Sequence, residues 1–507
     1  MLSIRNFVRP SPRNIFSGAM IAAVGSVFAT GVQASLVIST APTSNVSCTS
    51  TTCSQISAGD AVLNVTQLRT LLTSSSVEVN GRTKIAVDAE IVWASANTLT
   101  LNGSSVAINQ PIAVAGSGGL TLELSNTEFP TFGLKGNVTF WSTSSNFTII
   151  DSTLRTTVAY TLVNSIAMLA SDIAAEPDGN NYALANSYNA SSDGTYASSP
   201  IPFMGGNFIG LNNTISHLSI KDTVAGHQVG LFGTNSGIVS WLNLKNVHIS
   251  GGNDSQVGAI AGTNDGNLIY DSAEGAISTR TGTNGSEPGA IAGGLVGLNN
   301  NIVEFSYNGG NVSGGQNAII GGIAGENSHL GYNLIGDVYV DYSTADVSLE
   351  SASCGRCSVG AQPNSAGGLV GVNNGFVEGY ATGSVTSMAP ANLGGLVGLG
   401  VYGASNSIGG SYSTGAVSGA SGSSIGGAIG FDQPSDNISD VYWDTSTSGV
   451  TNSSQGAGNI ANESGITGLT TTQLQSGLPA GFNPRFWGER PSINGGLPYL
   501  LAIPPRT

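Results

Sequence analysis

Charge is scarce in this chain. Of 507 residues, 15 are Lys or Arg and 30 are Asp or Glu, together 9% of the sequence. The surface must then be built from Ser, Thr, Asn and Gly. The shortage of cations leaves a net charge of −15, which repels phosphate backbones and argues against nucleic acid as a partner. The four histidines are His217, His227, His248 and His329. None sits in the His-Glu-x-x-His pattern of a zinc peptidase, where two ligands one helical turn apart flank a general base. His227, between Gly226 and Gln228, reads as a turn residue. Cysteine is limited to Cys48, Cys53, Cys354 and Cys357. Zinc usually takes four ligands, and no second pair stands near Cys354 and Cys357. Nor does a thioredoxin-like setting surround them. Two local disulfides, 48 with 53 and 354 with 357, are the reading that proximity favours in an exported chain. After residue 34 no stretch reaches the ~20 apolar residues of a membrane span.

What is present is glycine, 72 residues of it, in a chain that is 40% apolar. Gly293-Gly294-Leu295-Val296-Gly297 recurs as Gly367-Gly368-Leu369-Val370-Gly371 and Gly394-Gly395-Leu396-Val397-Gly398. Looser copies end at Gly262, Gly325 and Gly430, and more diverged ones at Gly210 and Gly233. The closing glycines are separated by 23, 29, 35, 28, 46, 27 and 32 residues. Self-similarity at this period is the mark of stacked repeats. A unit too small to bury its own apolar face needs neighbours on both sides. Val377 to Val385 alternates with the strand period, and paired glycines suit a close approach of backbones. The fold class expected is all-β, a right-handed parallel β-helix with short capping or inserted helices. An irregular run of antiparallel hairpins is the alternative. Roughly fifteen rungs at ~4.8 Å each would make a rod about 70 Å long.

Along the chain, residues 1–34 read as a secretory signal. Arg5, Arg9 and Arg13 precede a broken apolar core, and Val32-Gln33-Ala34 offers a cleavage site. Removing three arginines and no acid takes the charge from −15 to −18. Residues 35–60 read as a Ser/Thr-rich leader or cap, and 61–159 as an N-terminal β-helix section. Within it, Asn64 caps a helix whose Val65, Leu68, Leu71 and Leu72 share a face. Residues 160–202 read as a helical and polar insertion, opening near Asn164 or Ser165, and 203–449 as the repeat array. Residues 450–507 read as a linker and C-terminal capping tail, with a helical turn at Thr471 to Gln475. That tail is far too short for a membrane β-barrel, which needs at least eight strands of roughly ten residues.

The repeats resemble the GLUG motif, a Gly-Leu-any-Gly core found in secreted bacterial proteins of the filamentous haemagglutinin-like group. Ile91-Val92-Trp93-Ala94-Ser95-Ala96-Asn97-Thr98-Leu99-Thr100-Leu101 is similar to the rungs of those proteins, as is Asn207-Phe208-Ile209-Gly210-Leu211-Asn212-Asn213-Thr214-Ile215. The resemblance implies a secreted or surface-exposed adhesin of a bacterium, with the periplasm as the other compartment. It implies cell-surface or matrix glycans and proteins as partners, and an outer-membrane secretion partner. The chain departs from the group in carrying cysteines, and in lacking an Asn-Pro-Asn-Gly type secretion motif near the mature N-terminus.

No catalytic residue, cofactor or metal ligand emerges. Asp432, Asp436, Asp440 and Asp444 fall at intervals of four, and Asp265, Asp271 and Glu274 form a looser group. Either would be the place for calcium, which takes six to eight oxygens. A glycoside hydrolase needs two or three converging carboxylates, so a carbohydrate-active β-helix enzyme stays as the alternative function. A ligand-free spacer is the third. Trp241, Phe305, Tyr307, Tyr380, Tyr412, Tyr442 and Trp443 recur in the second strand of the units. They read as stacked core filling, or else as a platform for sugar rings. The long segment 326–364, holding Cys354 and Cys357, is the candidate contact loop.

Overall fold

The computed structural model describes residues 35–125, 129–176, 179–283, 289–328, 336–350, 364–401, 407–433 and 437–505. The expected signal, Cys354, Cys357, His329 and Asp436 lie outside these residues. The described residues divide into two compact units, one holding most of residues 35–158 and the other 159–505 with two short earlier pieces.

In the first unit, β-branched and leucine residues alternate with Ser, Thr and Asn, and the strands follow that alternation. Thr98–Gly103 and Gly119–Leu124 bury every second side chain. They pair in parallel, Leu99 with Leu120 and Leu101 with Leu122. Val77–Asn80 and Thr52–Gln55 extend the ladder, so that Cys53, Val79, Leu101 and Leu122 form one buried column. Leu36–Ser39 pairs in parallel with both Ala61–Asn64 and Lys84–Val87. Residues read as a leader therefore supply strands to both sheets. Val46–Cys48 and Thr52–Gln55 form a hairpin closed by the Cys48–Cys53 disulfide. Helix α1, Val65–Ser74, starts where expected: the Asn64 side chain accepts from the Thr66 and Gln67 amides. Val65, Leu68 and Leu72 are buried, while Leu71 is only half-buried.

In the second unit each repeat gives strands, in the same order, to three parallel sheets. One has seven strands, from Gln228–Val229 to Ser424–Gly426; another has eight, from Ile201–Met204 to Ile429–Asp432. The third is longest, and there one long strand often faces two short ones, as Asn243–Ser250 faces Thr214–Ser216 and Ser219–Lys221. Antiparallel pairing occurs in the Cys48–Cys53 hairpin, a Ser44–Val62 bridge, and Trp487–Gly488 with Tyr499–Leu500, whereas the repeat strands of the three sheets pair in parallel. The hairpin alternative is thereby excluded for the described repeats. Apolar residues from the three sheets meet in one continuous core that runs from Val163 to Ala457. Among the described residues no helix is long and apolar enough to cross a membrane.

Two expected boundaries move. Helix α2, Ile166–Ala175, opens at Ser165, whose hydroxyl accepts from the Met168 amide. The polar stretch after it is not an insertion. Tyr182 pairs with Phe208, Tyr188 with Ile215 and Thr195 with Ser219, so 182–196 forms a layer of the array. Its strands are only two or three residues long, too short to show a period. At the other end, Ile466–Leu469 pairs with Val441–Asp444, and residue 457 bridges Ile429, so the supposed linker adds a partial layer.

Candidate functional site

The repeat glycines stand in columns, each set by a lack of space. Gly293, Gly321, Gly367, Gly394 and Gly426 are register partners. A Cβ on the following glycine would strike the carbonyl of the next layer, at 2.0 Å for Gly322 and 2.3 Å for Gly395. The closing glycines have another neighbour. A Cβ on Gly262, Gly297, Gly398 or Gly430 would lie 2.3–2.7 Å from a backbone nitrogen of the seven-stranded sheet, and Gly325 and Gly371 also press on its backbone. The two sheets thus touch backbone to backbone along this line. Gly233 opposes Gly262, because Phe232 pairs with Ala261 and Thr234 with Thr263. Gly210 falls outside the column. It follows a strand of the longest sheet and presses on the Trp241 carbonyl, while Pro202 takes the position opposite Gly233.

Polar side chains along the interior close their hydrogen bonds upon one another. Asn235, Asn264, Asn299, Asn327 and Asn373 form a buried ladder in which each side-chain amide donates to the next carbonyl oxygen, at 2.8–2.9 Å. At the bends of the longest sheet one residue per layer is left-handed: Trp241, Tyr270, Phe305 and Val340 have φ of 53, 60, 51 and 57°. Such a backbone is unfavourable for bulky residues. The residue after it pins the bend. Asp271 accepts from the Leu242 and Ile269 amides, Ser306 from Asp271, and Asp341 from Ser306. Burial pushes both aspartates well above the ordinary carboxylate range, against the amide hydrogen bonds that favour the charged form.

The recurrent aromatics divide into two stacks. Trp241, Tyr270 and Phe305 lie face to face at 4.2 and 4.9 Å; Tyr307, Tyr342, Tyr380 and Tyr412 at 4.8, 4.9 and 5.1 Å. Tyr380 and Tyr412 are fully buried and Trp241 is 7% exposed, which leaves them no open face for a sugar ring. The cover over the tyrosines is the C-terminal tail. Instead of closing the last layer, it lies back along the side of several. Trp487 packs on Tyr380 and Tyr412, Phe482 on Tyr412 and Tyr442, and Phe486 on Tyr339. The Tyr412 hydroxyl donates to the Pro498 carbonyl at 2.6 Å, and that of Tyr442 to Ala480 at 3.0 Å.

The same tail meets a column of acids. Glu304, Tyr339 and Glu378 are successive register partners, and Asp337 stands two residues before Tyr339. Burial pushes Glu304 up to about 7, with Asp337's charge adding to it. Burial also lifts Asp337 to about 6, against a hydrogen bond from the Phe376 amide. Glu378 rises to about 7 through burial, against the Trp487 indole N–H that donates to it at 3.4 Å. The described ion pairs all lie elsewhere.

The acidic groups expected as calcium candidates do not assemble. Asp432 is in the eight-stranded sheet, Asp440 is at a bend, and Asp444 accepts from the Ser446 amide and the Thr471 hydroxyl. Asp265 accepts from Asn300, Asp271 pins a bend, and Glu274 pairs with Lys245 at 3.6 Å. No group of three metal-ligating side chains occurs among the described residues. His227 closes a turn against buried Asp222 at 2.8 Å.

One feature was not singled out from the sequence. Ser250, Ser278, Ser313, Ser348, Thr386 and Ser418 are successive register partners on the outer face of the longest sheet, and Lys221 ends the row. The signal is a dyad, once per unit: a β-branched aliphatic residue buried, then a hydroxyl outward, as in Val347-Ser348, Val385-Thr386 and Val417-Ser418. At its last three layers the row borders an open groove of about 710 Å³ that also takes in Glu350 and Met388. Comparison with known protein families, curated proteins and solved structures finds no match.

Proposed function

We propose that this chain is a right-handed parallel β-helix of the GLUG-bearing, filamentous haemagglutinin-like kind, exported by a bacterium and displayed at or released from its surface as an adhesin. The reading is supported by the columns of repeat glycines: each unit adds a strand to each of three parallel sheets, in register, so a single core continues while loops vary. Such a scaffold is stiff, and contacts then belong to its loops and outer faces. Partners are cell-surface or matrix glycans and proteins. Of the expected contact loop 326–364, Asp337–Ser343 and Val347–Leu349 are strands of the array, so the candidate narrows to 329–335 and 351–363, which lie outside the described residues. Fractionation of the producing cell, with binding of the purified chain to cells and matrix, tests it. Recovery in the medium or on the surface, with saturable binding, is expected. Confinement to the cytoplasm would sink it.

A second reading is a carbohydrate-active enzyme. What favours it is the Glu304, Asp337 and Glu378 column, whose protons are held near neutral pH, where a general acid works. Release of reducing ends or unsaturated uronides from polysaccharides, lost in Glu304→Gln, is the expected outcome for that reading; no release from a broad panel would remove it.

A further inference from the structure

The interior ladders and the outer hydroxyl row differ in one respect. Asn235 to Asn373 satisfy one another. Ser278, Ser313, Ser348, Thr386 and Ser418 make no side-chain hydrogen bond to the protein among the described residues. Their donors and acceptors are presented outward, one per layer, about 4.8 Å apart. Where the row borders the groove, Met388 is 62% exposed and adds an apolar surface beside Thr386.

We propose that this groove, lined by Ser348, Thr386 and Ser418 together with Glu350 and Met388, binds an uncharged polysaccharide chain laid along the stacking direction. The proposal rests on the adhesive reading above and names its ligand class and site. Charge selects the occupant. Among the described residues the groove holds one carboxylate, Glu350, and no cation, within a chain of net charge −15. A sulfated, phosphorylated or uronate polymer needs Arg or Lys to meet its anions and would be repelled. Sugar hydroxyls both donate and accept, as Ser and Thr hydroxyls do, and the C–H face of a sugar ring suits the Met388 side chain. The layers repeat at a distance comparable with one sugar ring, so one row can meet successive residues of one extended chain. The groove's volume lies within the range of ligand sites, ~300–1,000 Å³.

The test is affinity electrophoresis of the full chain through gels containing a soluble glucomannan or neutral β-glucan, with alginate as the anionic polymer. The wild type is expected to be retarded by a neutral polymer and not by alginate. The triple substitution Ser348→Ala, Thr386→Val and Ser418→Ala alters only outward side chains, and should weaken retardation at least tenfold while leaving the melting temperature in place. Thr386→Arg should reverse the preference towards alginate. Undiminished retardation of the triple variant overturns the groove but leaves the adhesive reading intact. Retardation by alginate alone overturns the neutral-ligand assignment. If the wild type binds neither these polymers nor any cell or matrix, both fall together.

Discussion

At the residue scale the array is governed by positions that admit no Cβ. Gly395→Ala would place a methyl 2.3 Å from the Gly427 carbonyl oxygen, and backbone cannot yield as a side chain does. Overpacking of this kind costs about 1–3 kcal/mol or more, so urea denaturation should show a lower midpoint for Gly395→Ala. Gly449→Ala, which meets only the Val417 carbonyl at 3.9 Å but has φ of 76°, should lose less. Asn299 is a different case, because it donates to Asn327 and accepts from Asn264. Asn299→Ala leaves two buried amides short of a partner, and each unsatisfied group costs about 1–3 kcal/mol. Thermal melting should register a larger loss than for Asn452→Ala, which caps an exposed turn. The glycine columns were legible in the sequence because the demand for a missing side chain is local and recurs in every unit. The hydroxyl row was not. Ser and Thr are common throughout this chain, and only the register separates the six that align from the many that do not.

At the element scale the tail is the part whose place could not be read. Leu478 to Pro505 has prolines and aromatics but no period, so nothing in it says which layers it covers. Its anchor is Trp487, 1% exposed and packed on Tyr380 and Tyr412. Trp487→Ala should cost about 3–5 kcal/mol, read by thermal melting, with loss of near-ultraviolet circular dichroism from the tyrosines beneath. Part-buried carboxyls beside the tail set a pH response. Glu304 and Glu378 rise from an ordinary 4.5 to about 7 in the folded chain. Between those values the folded state holds more protons than the unfolded one. The contribution of these groups is therefore complete below about pH 4.5 and is lost as pH rises through about 7. Both side chains are part-exposed, so solvent screening reduces its size. Melting temperatures should fall between pH 5 and pH 8, and the Glu304→Gln, Glu378→Gln double variant should reduce that slope, with Glu326 and Asp337, also raised by burial, keeping the remainder. The helices show the opposite legibility: the Asn64 and Ser165 caps act within three residues of themselves, which is why their starts could be placed from sequence.

At the scale of the whole molecule, the register depends on what each unit contributes and not on how many residues separate one unit from the next. Gly371 and Gly398 are 27 residues apart, and Val370 pairs with Val397. Excision of residues 372–398 joins Gly371 to Leu399, the register partner of Val372. The shortened chain should fold with its circular dichroism per residue unchanged, whereas removal of 14 of those residues should not, since half a unit cannot supply all three sheets. Limited proteolysis separates the two outcomes. The strands of 182–196 show where this scale defeats the sequence: segments of two or three residues take their place from the layers they pair with, not from any pattern of their own.

The tail's backward course has a mechanical consequence. Tension entering through residues 478–505 does not arrive first at the outermost strand, Ile466–Leu469, which could peel away one hydrogen bond at a time. It is delivered at Tyr442, Tyr412, Tyr380 and Tyr339, several layers inward. Those contacts would be sheared side by side, and a pulled molecule would hold until many of them gave way at once.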